Sequence, residues 1–158
     1  TPNQTLNYLN EFMTCMQPEI VKKGGFINQY VGDEIMAIFH NEGHAEAAID
    51  TAIEMLNVLK EQNPKQITKG KQEIKIDVGI NTGKVIRGTI GSESRMESAV
   101  IGDTVNLASR MQNLTKVYKT QILISDSTYA NFQNVNKYNI RNVDTVKVKG
   151  KTEPTTVY

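Results

Sequence analysis

Two short stretches of the chain carry residues that could do chemistry. In GGFINQYVGDEIMAIF, Gly24 to Phe39, two apolar β-prone runs, Phe26–Val31 and Ile35–Phe39, flank the pair Gly32-Asp33. A Gly-Asp pair between such runs predicts a hairpin, because the turn needs residues that tolerate positive φ. Asp33 then sits at the tip of a mostly apolar hairpin, where a carboxylate is a good ligand for a hard cation. Taken alone, it is more simply read as turn chemistry. In the second stretch, DTVNLASRM, Asn106 and Arg110 are four residues apart and share one face of a predicted helix. Without further information that pair is an exposed polar face. His40 and His44 also lie about one helical turn apart, a spacing that can hold a metal. No third ligand type clusters there, and a solvated loop is the better reading.

The elements that must position these groups follow from periodicity. Leu6, Leu9, Phe12, Met13, Met16 and Ile20 recur at helical spacing and predict an amphipathic helix over Pro2–Lys22, stopped by Gly24-Gly25. Ala48, Ala52, Ile53, Leu56 and Leu59 predict a second helix over His44–Gln62, ended by Asn63-Pro64 and followed by a basic loop, Lys65–Lys71. Ile74, Ile76, Val78 and Ile80 alternate as a strand, and Asn81-Thr82-Gly83 turns the chain into Val85-Ile86. Gly79, Gly83, Gly88 and Gly91 punctuate this region and suggest bulges or close backbone approach. Ser92–Ser98 reads as a polar arm. A short strand, Ala99–Gly102, leads to a third helix capped by Asp103 or Thr104. A strand at Ile122–Ile124, a short helix capped by Ser125 or Asp126, a long strand over Tyr138–Val148 and a last strand at Thr155–Tyr158 complete the order.

The bulk numbers bound the function. The 158 residues suit a single domain, 1–158, with a real core. With 18 basic and 17 acidic residues the formal charge is +1, which gives no reason to expect nucleic-acid binding. The single cysteine, Cys15, excludes a disulfide framework and fits a reducing compartment. No apolar run reaches membrane-spanning length and no signal peptide is visible. A cytoplasmic location is expected, free or as the cytoplasmic part of a larger membrane-attached protein. The chain begins at Thr1, which reads as a domain excised from a longer protein.

Taken together, GGFINQYVGDEIMAIF, GINTGKVIRGTIGSESRMESAVIGDTVNLASRM and VKVKGKTEP resemble the catalytic domain of class III nucleotidyl cyclases, in the family's order and over nearly the whole chain. The resemblance implies an α+β fold, a ferredoxin-like βαββαβ core with added strands and helices and a mostly antiparallel sheet. It implies Mg²⁺ or Mn²⁺, two ions per site, and attack of the ribose 3′-hydroxyl on the α-phosphate with loss of pyrophosphate. By the same resemblance Asp33 matches a metal ligand, Asn106 the group that orients the ribose, and Arg110 the group that stabilises the transition state. Lys149 matches the lysine that holds the terminal phosphates. Lys151 is the weaker substitute, and Lys149-Gly150-Lys151 would otherwise read as a hairpin end. The resemblance further implies a homodimer with shared sites and, in the parent protein, a fused sensor or regulatory domain.

Three departures qualify the expectation. The family's first metal Asp lies upstream of the first helix, before this chain begins, so the 158-residue piece alone is expected to be inactive or nearly so. The base-selecting position before the hairpin aromatic is Gln29, where adenylyl cyclases carry Lys and guanylyl cyclases Glu. Its partner position, four residues before Asp103, is Ala99. A glutamine amide both donates and accepts, and alanine does neither, so ATP and GTP both remain open as substrates. VIGDTVNLASRM and MAIF resemble the bacterial adenylyl type and favour ATP. The alternative function is a degenerate cyclase-homology module that binds nucleotide or a partner domain without turnover.

Overall fold

A computed structural model describes residues 2–92, 95–147 and 153–158, with the backbone alone for 2–6, 89–92, 95–99 and 101. The chain divides into two compact units, Thr1–Ile76 and Asp77–Tyr158. The first unit contains α1 (Pro2–Lys22), β1 (Phe26–Val31), β2 (Glu34–Ile38) and α2 (His44–Thr68). The second contains β3 (Val78–Ile80), β4 (Ile86–Ser92), β5 (Arg95–Ile101), α3 (Asp103–Tyr118), β6 (Ile122–Ile124), α4 (Asp126–Ala130), a 3₁₀ turn (Val135–Lys137), β7 (Asp144–Val146) and β8 (Thr155–Val157). The fold is α+β, as expected. Among the described strands β1–β2, β4–β5 and β7–β8 pair antiparallel, and only β3–β6 pair parallel. No described helix is long and apolar enough to cross a membrane.

In the first unit the apolar face of α1 meets α2, but the expected α2 stripe is only partly buried: Ala52 and Leu59 are, whereas Ile53 is exposed. Phe12 and Met16 from α1 pack with Leu59 from α2 and with Ile74, and Tyr8, Met13, Ile35, Met55 and Val58 close around them. Cys15 belongs to the edge of this cluster, where burial first and the Glu11 carboxylate second push its thiol above the usual range. Gly24 N and Gly25 N close on Val21 O and Ile20 O and end α1 where the two glycines predicted.

The second helix does not end at Asn63-Pro64. It runs on to Thr68, with Pro64 inside it, and takes up half of the expected basic loop. Within this stretch the buried Asn63 side chain is turned away from its own helix. Its Nδ2 donates to Ile74 O and its Oδ1 accepts from Ile74 N, both at 2.9 Å. That clamp explains why the expected strand at Ile74–Ile80 shortens to Val78–Ile80. Both backbone polar groups of Ile74 find partners on one side chain, so this buried residue needs no ladder. A Lys71–Glu11 ion pair ties the same segment back to α1.

In the second unit the chain passes from β3 through the β4–β5 hairpin and α3 to the parallel neighbour β6, the long crossover that a parallel pair requires. Leu107 and Met111 of α3 pack with Leu123 and Val157 at its centre, flanked by Leu114, Tyr118, Val143 and Val146. The C-terminal end lies along β6, Ile124 N reaching Tyr158 O at 2.9 Å and Tyr158 N reaching Ile124 O at 3.0 Å. At the far end of α3, Tyr118 Oη donates to Asp144 Oδ2 at 2.6 Å. That bond raises the Tyr118 pKa and, with a second bond from Thr145 N, lowers that of Asp144.

Three further expectations are corrected here. The polar arm at Ser92–Ser98 is largely strand, since β5 starts at Arg95 and pairs with β4 from Ser92↔Arg95 to Ile86↔Ile101. The long strand over Tyr138–Val148, whose last residue lies outside the described residues, contracts to Asp144–Val146, preceded by a 3₁₀ turn and by a stretch holding Asn139 and Asn142, a residue type depleted in strands. Neither Asp103 nor Thr104 caps α3; Gly102 holds the N-cap position with no side-chain cap bond. Ser125 does cap α4, accepting from Thr128 N.

The Asn63 clamp predicts a measurable cost. Asn63→Ala leaves two buried backbone groups of Ile74 without partners and should destabilise the domain by about 2–4 kcal/mol. Urea unfolding should show a lower midpoint at unchanged slope, with Asn63→Asp intermediate. A change under about 0.5 kcal/mol would mean that water or another group takes over the clamp.

Candidate active site

The expected site residues are carried by elements of both units. In the first, Val31 pairs with Glu34, so Gly32 and Asp33 form a two-residue connection. Of these only Gly32 has a positive φ, 62°, which matches a II′ turn and the right-handed twist of its strands. The Asp33 carboxylate is therefore exposed on a short, well-defined turn. Its chemistry fits one oxygen ligand of a hard divalent cation. Among the described residues no group of three His, Cys, Asp or Glu side chains could hold a metal by itself. The histidine pair has local roles. His44 Nδ1 donates to Asn41 O at 3.2 Å, and the His40 ring meets Phe26 edge-on at 5.7 Å.

Gln29 follows an irregularity in the same hairpin. Ile27 pairs with Ala37 and Gln29 with Met36, so Asn28 is left out of the register. Such a bulge bends the strand and re-aims the side chains after it. Beyond it Gln29, Tyr30 and Val31 are all exposed, whereas Phe26 to Asn28 are half-buried.

In the second unit Asn106 is exposed and Arg110 half-buried, one turn apart on α3. Ala99 lies in β5, its backbone opposite Gly88. Lys149 and Lys151 fall outside the described residues.

What fixes α3 is the segment Gly79–Gly83, and here the expectation of close backbone approach holds. A Cβ on Gly79 would collide with Ala108 O and Gln112 N of α3 and come within 2.8 Å of Gln112 Cα. These are backbone atoms and cannot swing aside. A Cβ on Gly83 would fall 2.6 Å from Thr104 Oγ1. At Gly88, by contrast, none of the described residues comes within 4 Å of where its Cβ would be.

Between the two close glycines, Asn81 Nδ2 donates to Thr104 O at 2.9 Å, in the first turn of α3. Asn81 Oδ1 accepts from Ser125 Oγ at 2.7 Å and Ser127 Oγ at 2.9 Å, at the start of α4. Thr104 Oγ1 donates to Lys84 O at 2.7 Å, and Thr82 Oγ1 to Thr128 Oγ1 at 3.1 Å. Sequence reasoning treated Asn81-Thr82-Gly83 only as a turn. The signal it could have used is the crowding of hydroxyl and amide side chains around two glycines.

Known proteins point the same way. The profile of the "Adenylate and Guanylate cyclase catalytic domain" matches residues 1–158. An adenylate cyclase of Anabaena cylindrica is 40% identical over 162 residues, covering 99% of this chain and 32% of that protein. The crystal structure of the adenylyl cyclase CyaB from P. aeruginosa aligns at a TM-score of 0.84 and 31% identity, over 97% of this chain and 80% of the other. The guanylyl cyclase Cya2 aligns equally well, with a TM-score of 0.84 and 30% identity, over 99% of this chain and 80% of the other.

The Gly79 contact makes a sharp comparison possible. Gly79→Ala must push α3 off β3 and should cost about 1–3 kcal/mol. Gly88→Ala, whose Cβ meets none of the described residues, should be neutral or stabilising by about 0.4–1 kcal/mol. Thermal melts of both variants test this; equal melting temperatures would show that the helix does not rest on the Gly79 backbone.

Proposed function

The chain belongs to the adenylate and guanylate cyclase catalytic domain family, and from that premise we propose that it works as a class III cyclase that converts ATP to 3′,5′-cyclic AMP and pyrophosphate. The observation that carries this reading is α3, which presents Asn106 and Arg110 one turn apart from a first turn tied to the Gly79–Gly83 segment. An amide and a guanidinium at that spacing can address a sugar and the phosphate attached to it.

In this reading the Asn106 amide orients the ribose so that its 3′-hydroxyl lies in line with the α-phosphate. Arg110 places its guanidinium where negative charge develops on the pentavalent phosphorus, the position at which a fixed cation acts most on rate. Lys149 neutralises the terminal phosphates that leave as pyrophosphate. Asp33 contributes a carboxylate to Mg²⁺ or Mn²⁺, which when bound lowers the barrier by activating the hydroxyl and screening the leaving phosphates. Gln29 and Ala99 occupy the base-selecting positions. ATP is favoured because the Anabaena relative is named an adenylate cyclase. Gln29 can satisfy either purine edge and Ala99 neither, so discrimination against GTP should be modest.

The active form in this proposal is a homodimer in which Asp33 and Lys149 of one copy serve the same reaction as Asn106 and Arg110 of the other. A closed two-fold pair of that kind gives two equivalent sites. The chain spans 32% of the length of the Anabaena cyclase, and a fused regulatory domain in the full protein is part of the same proposal.

The test uses the full-length protein with Mn²⁺ and ATP. Cyclic AMP and pyrophosphate should form in equal amounts, and Asp33→Ala should lower turnover by about 100-fold or more with its far-ultraviolet circular dichroism unchanged. The preference for ATP over GTP should stay within about 100-fold, and Gln29→Lys should widen it. Turnover in Asp33→Ala close to that of the parent would remove Asp33 from the chemistry. Nucleotide binding without any product would instead identify a degenerate module.

A further inference from the structure

We propose that Asn81 is a positioning residue for Asn106 and Arg110, acting through the first turn of α3; the proposal rests on the cyclase reading of those two residues. The first turn of a helix is its weakest part, because its amides lack partners within the helix. In α3 that weakness is uncorrected from within, since Gly102 at the N-cap supplies no side-chain acceptor. The turn is held from outside. Asn81 Nδ2 grips Thr104 O at 2.9 Å, two residues ahead of Asn106. Thr104 Oγ1 adds the bond to Lys84 O at 2.7 Å.

Asn81 is itself immobilised. Both hydroxyls that approach its Oδ1 come from the capping segment of α4, and Ser125 is fully buried. An amide is the group this junction requires. Its oxygen must accept from two hydroxyls while its nitrogen donates to a carbonyl, and of the two isosteric side chains only asparagine does both. Aspartate at the same place keeps the acceptor and loses the donor, setting a carboxylate oxygen against Thr104 O. The first turn of α3 would lose its grip while the hydroxyl junction stayed intact. A displacement of even one ångström at catalytic groups costs about 100-fold in rate.

The experiment compares Asn81→Asp and Ser127→Ala in the full-length protein, by steady-state kinetics with ATP and Mn²⁺ and by amide hydrogen exchange. Asn81→Asp should lower kcat by about 10–100-fold with KM within about 3-fold, because the nucleotide still binds while its orientation is lost. Exchange should quicken at Ala108 to Arg110, whose amides close the first helical turns, and stay unchanged at Met111 to Tyr118. Ser127→Ala, which leaves the bond to Thr104 O in place, should keep kcat within about 2-fold. Exchange that rises evenly along α3, or an Asn81→Asp protein without a cooperative melt, would give Asn81 a purely structural role and overturn the proposal. So would unchanged kcat. If the parent protein forms no cyclic nucleotide at all, the cyclase reading fails, and the exchange pattern still decides whether Asn81 holds the turn.

Discussion

The second unit depends on one approach of backbone to backbone. At Gly79 the β3 strand lies so close under α3 that no side chain fits between them, and the atoms it would strike are Ala108 O, Gln112 N and Gln112 Cα. Contact at this distance fixes the helix in rotation as well as height. Leu107, Met111 and Thr115 are turned inward and fully covered, the first two against Leu123 and Val157. Asn106, one step around the helix from Leu107, is thereby left exposed, with Arg110 above it. The orientation of the polar pair is a consequence of how the apolar face is seated.

The rest of the Gly79–Gly83 segment extends that constraint toward the start of the helix. Gly83 makes room for the Thr104 side chain, and Asn81 and the Lys84 carbonyl hold Thr104 from two directions. The helix thus enters from a glycine N-cap without local capping and is still anchored where Asn106 begins. The hairpin of the first unit solves its own positioning problem by shorter means. A two-residue turn with the positive φ confined to Gly32 sets Asp33 at its tip, and a skipped residue at Asn28 changes the facing of Gln29.

Much of this was legible in the chain. The α1 stripe, the Gly-Asp hairpin and the Ser125 cap are all local patterns, and local patterns determined them. Three of the failures share a cause, which is a tertiary partner replacing a local rule. Asn63-Pro64 reads as a helix end, yet Asn63 is engaged with Ile74 and the helix passes through Pro64. The alternation at Ile74 and Ile76 reads as a strand, yet Ile74 has its backbone groups satisfied by that same side chain. The polar run after Ser92 reads as an arm because its pairing with β4 is invisible to composition. The Asn81 junction escaped notice because its partners are separated from it by 23 to 46 residues.

The proposed cyclase reaction would need the hairpin carboxylate and the α3 pair together. The most direct test is complementation between two disabled full-length chains, Asp33→Ala and Arg110→Ala. Each alone should be inactive, and mixing should restore turnover, because the mixed dimer carries one site with both residues intact. The expected recovery at equal mixing is about one quarter of the parent activity, as half of the dimers are mixed and each has one of two sites. A mixture that stays inactive while mixed dimers are present would contradict the account, since Asp33 and Arg110 would then not serve one reaction across two copies.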